Sequence, residues 1–389
     1  MVSVGEHNIC FLLPWHKFLK ARVLTVQIQR CVDRQVAGGC IPPRTLVAAL
    51  AMTRPAPNRL FRGLQLGLGG LLLQPFAWLQ SLFWGRALKH LQLPDDPVIV
   101  FGHWRSGTTY LHQLLAADPG AATARNALTV APQVALVLKP LIIAVLNRLM
   151  TATRPIDAVP WSALDPQEDE IGLARLTMDS HMAGVAFPQD YLRHFHRCTL
   201  STTREFQQQL LHFTRITWAH DGDSKHHLLI KNPAHSARVP LLLDLFPKAR
   251  FVLMKRDPAD AVRSLTLVKQ KLADLIGLQP APDQQRQVEE TAMAHRLLLE
   301  AFESARPMIP AGQLVEVDYA DLVRSPTATV ERIYRDLSIE GWDQACDAVQ
   351  ARVDRAQTYN ACPVQLEPQA ERRLQELMAP AKASTDEAY

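Results

Sequence analysis

The sequence predicts an α/β fold in which a central parallel sheet is flanked by helices. Two observations predict it. From residue 95 onward, short apolar runs alternate with helical segments, the pattern of parallel strands joined by crossover helices that cover both faces of a sheet. The junctions carry glycine, Asp-Pro or Ser-Pro, which end a strand and open a helix. A chain of 389 residues, 48% hydrophobic and 21% charged, has room for one large domain of this kind plus an extension.

Residues 1–58 read as an extension of unknown role. "HNICFLLPWHKFLKARVLTVQIQRCVDRQV" has the character of a basic amphipathic helix, but "AGGCIPPRT" and "RPAPNR" break it repeatedly. The start of the chain lacks a basic segment followed by a long apolar core and a small-residue cleavage site, so no signal peptide is expected. Residues 59–94 hold an apolar helical segment, with "FRGLQLGLGGLLLQPFAWLQSLFWGRALK" at 61–89. It approaches the about 20 apolar residues that a bilayer span requires. Gln65, Gln74, Gln80, Pro75 and several glycines count against a span. Trp78 and Trp84, with the flanking Arg62, Arg86 and Lys89, suit a segment lying at a membrane interface; a core helix is the third reading. In "VALVLKPLIIAVLNRLM" (134–150), Lys139 and Pro140 predict two helices, expected to line an apolar acceptor pocket.

The first strand is "PVIVFG", apolar from Val98 to Phe101. "TTYLHQLLAA" then puts Tyr110, Leu111, Leu114 and Leu115 on one helical face and leaves His112 on the surface. "HLLIKNP" is the second strand, and "HSARVPLLLDLFP" after it is partly helical. "RFVLMKRDP" is the third, with Asp257 as N-cap and Pro258 as the first residue of the helix "PADAVRSLTLVKQKL". "QLVEVDY" is the fourth, and its helix "PTATVERIYRDL" is capped by Ser325 with Pro326 in its first turn.

Net charge is +4 and the isoelectric point about 8.7, which suits an anionic ligand. With no Lys/Arg run and no interleaved aromatic stripe, a nucleic-acid partner is set aside. Cys10, Cys31, Cys40, Cys198, Cys346 and Cys362 form no CxxC and have no zinc-ligand spacing, and read as free thiols of a reducing compartment. A cytoplasmic protein is therefore expected, with peripheral membrane contact as the option that the interfacial reading of the apolar segment leaves open.

The chemistry starts at "FGHWRSGTTYLHQLL" (101–115). Backbone N–H groups at a helix start bind anions, and Gly102 and Gly107 let the backbone approach a ligand closely. Thr108 and Thr109 add hydroxyl donors. A nucleotide-triphosphate loop reads G-x-x-x-x-G-K-[ST]. Here Thr108 stands where that lysine belongs, which argues against ordinary ATP or GTP chemistry. Arg105 brings instead a planar fork of donors suited to a phosphate or sulfuryl group.

This stretch resembles the 5′-phosphosulfate loop of sulfotransferases that use 3′-phosphoadenosine 5′-phosphosulfate (PAPS), whose usual form is G-x-P-R-S-G-T-T, with Trp104 here in place of proline. Two further motifs are similar to that family's. "MKRDPADAVRSL" supplies Arg256 and Ser264, which the resemblance assigns to the donor's 3′-phosphate. "LLIKNPAHSARV" resembles L-K-x-P-x-H. It places Lys231 where a cation would face the bridging or departing oxygens together with Arg105, and offers His235 either as an acceptor contact or as the start of a helix. The resemblance implies a P-loop-like three-layer fold. Arg105, Ser106, Gly107, Thr108 and Thr109 would hold the 5′ side of PAPS as donor, with no metal.

"DPQEDEIGL" (165–173) is similar to the family's P-Q-E-D-E. An acceptor hydroxyl or amine must lose a proton as the sulfuryl group arrives, so a positioned general base is expected. Glu168, Asp169 and Glu170 are the candidates. On a helix, positions 168 and 170 project about 200° apart, so at most one of these two faces the site. Glu170 is favoured, Glu168 comes next, and an acidic first turn serving the helix dipole is the alternative. The tyrosylprotein sulfotransferases carry a base glutamate about twenty residues after the loop arginine. Here that region reads "ATARNAL" and has no carboxylate, which leaves His181, His103 and His112 in reserve. Arg352 and Arg355 are candidates for a closing contact near the C-terminus. The implied organisation is a catalytic domain at 95–375 and a C-terminal tail at 376–389. The implied function is sulfuryl transfer to a small-molecule or lipid-like acceptor. An ATP-dependent small-molecule kinase and a non-catalytic membrane-peripheral nucleotide-binding protein are the competing readings.

Overall fold

A computed structural model describes residues 29, 31, 33–36, 38–151, 153–154, 159–356 and 365–379. The expected helix in the N-terminal extension lies mostly outside these residues, as do Cys10, Cys362 and most of the expected C-terminal tail. Cys31, Cys40, Cys198 and Cys346 are free thiols.

The described residues form a five-stranded parallel sheet: β1 (Val98–Gly102), β2 (Ala121–Thr123), β3 (His227–Lys231), β4 (Arg250–Lys255) and β5 (Leu314–Asp318), in the order β2-β3-β1-β4-β5. Four are the strands read from sequence. The fifth, β2, is a three-residue edge strand of Ala121, Ala122 and Thr123, too short and too weakly apolar to show a strand pattern.

Side chains alternate across the sheet with the period of two that a strand imposes. Ile99 and Phe101 face one way with Ile230, Phe251 and Leu253, and join a cluster that includes Phe206, Phe213 and Phe302. Val98 and Val100 face the other way with Leu229, Val252, Met254 and Val317, against Leu111, Leu114, Val330 and Ile333. Both faces are therefore covered, and all residues of β1 are buried.

Helix α1 runs unbroken from Leu60 to His90, with Pro75 inside it. Of the three readings for this segment, a core helix packed on the domain fits one face only: Leu66, Gly70, Gln80 and Leu88 are buried, while Leu64, Leu72 and Leu82 are each at least 66% exposed. Residues 134–150 do not form two helices. A single helix, Lys139–Leu149, starts at the Lys-Pro pair because proline fits the first turn, where its missing N–H costs nothing. Helix α2 (Thr108–Leu115) follows the β1 loop, and buries Leu111, Leu114 and Leu115 as expected. His112 is a correction: it is 1% exposed, and its Nε2 lies 2.8 Å from Thr123 Oγ1, because the edge strand β2 covers that side of the helix.

Helix α3 (Asp169–Leu176) carries the acidic motif. Helix α4 (Pro258–Leu275) begins as read, with Asp257 accepting from the Asp260 backbone N–H at 2.9 Å and Pro258 in its first turn. Helix α5 (Pro326–Asp336) starts after Ser325, but the serine makes no side-chain cap bond. A short helix, Tyr319–Arg324, lies between β5 and α5.

Candidate active site

In a parallel sheet every strand delivers its carboxyl end to the same edge, and ligands bind there in open α/β folds. Gly102 ends β1, Lys231 ends β3, Lys255 ends β4 just before Arg256, and Asp318 ends β5 just before Tyr319. Register sets these ends side by side: Val100 pairs with Lys231, Gly102 with Met254, and Lys255 with Asp318. A cavity of about 1270 Å³ opens over this edge, walled by Arg105, Lys231, Arg256 and Tyr319. A single-ligand site typically measures about 300–1,000 Å³, so this cavity is larger than one ligand usually needs.

The loop after β1 is built from left-handed backbone. Gly102, Arg105 and Gly107 have φ of 136°, 71° and 94°. A Cβ at Gly102 would stand 2.4 Å from the Met254 carbonyl oxygen, and one at Gly107 2.4 Å from the Tyr319 ring, so neither position admits a side chain. Left-handed residues alternating with right-handed ones turn N–H groups into one anion-binding concavity. Arg105 holds its conformation without being glycine, a strain that concentrates at ligand clamps. Gly102 N–H donates to Ser236 Oγ at 3.1 Å, which fixes the start of the loop. Gly107, Thr108 and Thr109 line the cavity. Ser106 does not: it is buried, and its hydroxyl donates to the His103 carbonyl at 2.6 Å, closing the turn.

Arg105 Nε donates to Ser264 Oγ at 3.0 Å. Arg256 donates to the Arg105 carbonyl at 3.1 Å and lies 4.6 Å above the centre of the Tyr319 ring. The loop after β1 and the β4–α4 corner, distant in sequence, therefore form one cationic surface. Arg352 and Arg355 reach the same cavity from the helix Trp342–Ala356.

The acidic motif is zipped onto the segment after β3, residue against residue. Lys231 Nζ donates to Glu168 Oε2 at 2.8 Å. His235 Nε2 lies 3.1 Å from Asp169 Oδ2. Glu170 Oε2 accepts from Asn232 at 2.7 Å and from Arg238 at 3.0 Å, and its other oxygen accepts from the His181 backbone N–H at 3.0 Å. Glu168 is the extended N-cap of α3, while Asp169 and Glu170 are its first two helical residues, about 100° apart, so three adjacent acids take three different partners.

Only the first pair reaches the cavity, which both Glu168 and Lys231 line. Glu170, placed first among the acids in the sequence reading, lies outside the cavity wall. Glu170 is fully buried, as is Arg238, and both of its carboxylate oxygens accept hydrogen bonds. Burial would push its carboxyl up, but Arg238 and His181 outweigh that and hold it well below the ordinary value. A carboxylate so stabilised is a poor base. His235 is likewise fully buried, in the middle of the short 3₁₀ turn Pro233–Ala237; it lies outside the cavity wall, and the α-helix begins only at Val239, so neither a cavity contact nor a helix start falls on it. Residues 134–150 contribute nothing to the cavity wall.

Of the reserve histidines, His181 lines the cavity beside Trp104, their rings 4.4 Å apart. His103 turns its Nδ1 to the Trp104 carbonyl at 2.7 Å, and burial, with His295 nearby, holds it well below the ordinary histidine value. Burial also depresses His112.

Tyr319 and Lys269 went unread in the sequence. Tyr319 had a signal: it is the first residue past a strand, on the edge where sites form. Lys269 sits one turn and a half beyond Ser264 on α4, a lone cation in a buried stripe. It is 5% exposed, lines the cavity, and its Nζ lies 3.0 Å from Thr291 Oγ1 and 3.2 Å from the Tyr191 ring centre. Burial pulls its pKa down to about 7, against the opposing effect of Glu290. Among the described residues, no group of three or more His, Cys, Asp or Glu side chains could hold a metal ion.

Residues 97–344 match the sequence profile of the sulfotransferase family. An omega-hydroxy-beta-dihydromenaquinone-9 sulfotransferase of Mycobacterium tuberculosis is 26% identical over 266 residues, 67% of each chain, and its Mycobacterium bovis counterpart matches equally. Among solved structures, a sulfotransferase of Mycobacterium avium superposes with a TM-score of 0.61 at 18% identity, covering 86% of this chain and 88% of its own. A sulfotransferase of Mycobacterium tuberculosis gives 0.61 at 19% identity, covering 90% and 92%. At these identities the superpositions speak to the fold alone.

Proposed function

The chain belongs to the sulfotransferase family, and on that footing we propose that it transfers a sulfuryl group from PAPS to a hydroxyl, or an amine, of a lipid-like acceptor. The observation that carries this reading is the sharing of one cavity by the anion loop, with Arg105 bridged to Ser264, and the Lys231–Glu168 pair. The kinase reading fails on the family and on Thr108 in place of the phosphate-binding lysine.

Arg105, the loop N–H groups, Thr108 and Thr109 hold the 5′ side of the donor, while Arg256 and Ser264 hold its 3′-phosphate. Ser106 shapes the loop rather than touching the donor. Glu168 takes the proton of the acceptor hydroxyl as the acceptor oxygen forms its bond to sulfur. The bond from sulfur to the bridging phosphate oxygen breaks, and adenosine 3′,5′-bisphosphate leaves with that electron pair. Lys231, which donates to Glu168 at rest, stabilises the negative charge gathering on the departing oxygen. No step calls for a metal. The lipid-like acceptor is supported by the Met182, Val185, Leu272 and Leu275 wall of the cavity and by the menaquinone-derived acceptor in the name of the mycobacterial relative.

Calorimetry with adenosine 3′,5′-bisphosphate, followed by turnover of sulfur-labelled PAPS with a lipid extract, tests the proposal. Binding and a labelled lipid product are expected; ATP-dependent phosphorylation with no PAPS turnover overturns it.

A further inference from the structure

The long helix α1 is apolar on two opposite faces. One face is seated on the protein from end to end. Leu66 and Leu88 are buried, and Gly67 and Gly70 lie against Leu46 and the Ile41 carbonyl. Arg62 donates to the Ala273 and Gly277 carbonyls at 3.1 and 2.9 Å. Gln80 donates to the Pro132 carbonyl at 2.9 Å and accepts from the Leu136 N–H at 2.8 Å.

The opposite face carries Phe61, Leu64, Leu68, Leu72, Leu79 and Leu82, spaced by three, four or seven residues, which is one stripe of an α-helix. These side chains are between 39% and 74% exposed. The neighbouring helix Lys139–Leu149 adds Leu141, Val145 and Leu149, each more than 40% exposed. Its other side packs with Leu73 and Ala77 of α1, so the two outward faces are adjacent.

We infer that this face is a docking surface for an anionic lipid membrane, on which α1 lies flat without spanning it. Length and composition alone would let the helix cross a bilayer. The seating excludes that: a helix of 31 residues, roughly 46 Å long, is fixed to the protein from Arg62 to Leu88, and crossing would require stripping off those contacts. Charge selects the partner. Residues 60–94 and 119–156 contain no Asp or Glu, while Arg86, Lys89 and Arg148 are exposed at the ends of the two helices. An apolar stripe with Arg86, Lys89 and Arg148 exposed on its two helices suits an anionic headgroup layer, whereas a second copy would bring the same cations against one another. The seated face of the same helix reaches the cavity wall: Leu66 belongs to the same apolar cluster as Met182, Val185, Leu272 and Leu275, four residues of that wall. The inference is independent of the sulfuryl-transfer reading.

The test is co-sedimentation of the full chain with vesicles of phosphatidylcholine containing phosphatidylglycerol. Binding is expected, weaker with phosphatidylcholine alone and in high salt. Combined Leu64→Gln, Leu72→Gln and Leu82→Gln substitutions should lower the bound fraction at least tenfold, while Leu299→Gln, at another exposed leucine, should not. All four positions are at least 49% exposed, so folding is spared and circular dichroism checks it. Unchanged binding by the triple variant, or absence of binding by the native chain, overturns the inference. So does a lipid-free dimer that the triple variant dissolves, which would make a second copy the occupant. Resistance to extraction by alkaline carbonate would show a spanning helix and overturn the flat orientation.

Discussion

Glu168 Oε2 accepts from Lys231 Nζ at 2.8 Å, and the two side chains face the cavity together. A carboxylate and an ammonium so placed can divide the work of proton removal and charge stabilisation.

Glu168→Gln should lower kcat about 10²–10⁴-fold, the usual range for loss of a general base, with affinity for adenosine 3′,5′-bisphosphate retained. Lys231→Met should also lower kcat, and by more than it changes acceptor KM. Steady-state kinetics with calorimetry checks both. A Glu168→Gln enzyme with full activity places the base elsewhere, with His181 next.

Glu170→Gln should behave as a folding variant. Removing one partner of a buried pair leaves Arg238 uncompensated, at a cost of about 3–5 kcal/mol. Because the folded state holds this carboxyl well below its ordinary value, the native chain gains stability above the ordinary carboxylate range and loses it as pH falls through the depressed value. The variant should lack that acid-side loss. Denaturant titrations along a pH series measure it, and an unchanged midpoint with lost kcat would return Glu170 to the chemistry.

Arg256→Ala should raise the PAPS KM by at least tenfold with little change in acceptor KM, because Arg256 holds both the Arg105 carbonyl and the cationic surface. Ser264→Ala, which removes one neutral hydroxyl from the 3′-phosphate site together with the acceptor of the Arg105 Nε–H, should have a smaller effect in the same direction. Equal effects on both KM values would separate Arg256 from the donor.

Gly107→Ala should abolish measurable binding of adenosine 3′,5′-bisphosphate, since the new methyl would meet the Tyr319 ring while φ is 94°. Gly312→Ala is the control: its φ is 81°, but no atom lies within 4 Å of the added Cβ. It should carry the backbone strain, about 1–2 kcal/mol, and leave binding intact.

Lys269 makes stability climb with pH. The unfolded chain keeps its lysine protonated up to the ordinary value of 10.5, while the folded chain sheds the proton from about 7. Between these limits the unfolded state binds more protons, so stability rises with pH by about 1.4 kcal/mol for each unit of depression. Lys269→Met should flatten that rise, read from thermal midpoints across the window. An identical slope in the variant would mean that Lys269 stays charged.

Much of the fold was legible because its signals are local. Val98–Phe101 is apolar without interruption, and Asp257-Pro258 combines a capping acid with a proline suited to the first helical turn. The edge strand β2 was not legible, since Ala-Ala-Thr becomes a strand only by pairing with His227–Leu229. His112 looked like a surface residue because nothing within its own helix announces that Thr123 will cover it. The continuous apolar character of α1 could not say which face would be seated.

The sequence by itself determined the loop chemistry, the strand-to-helix junctions and the set of charged residues available, since each depends on neighbours within a few positions. Tertiary structure alone decided the ranking among them. Glu168, Asp169 and Glu170 are near-identical acids in sequence, and an extended N-cap residue followed by the first helical turn aims them at Lys231, His235 and Arg238 in turn. Only the first pair ends at the cavity, because the parallel sheet stops Lys231 at its open edge while His235 and Arg238 continue into the packed interior.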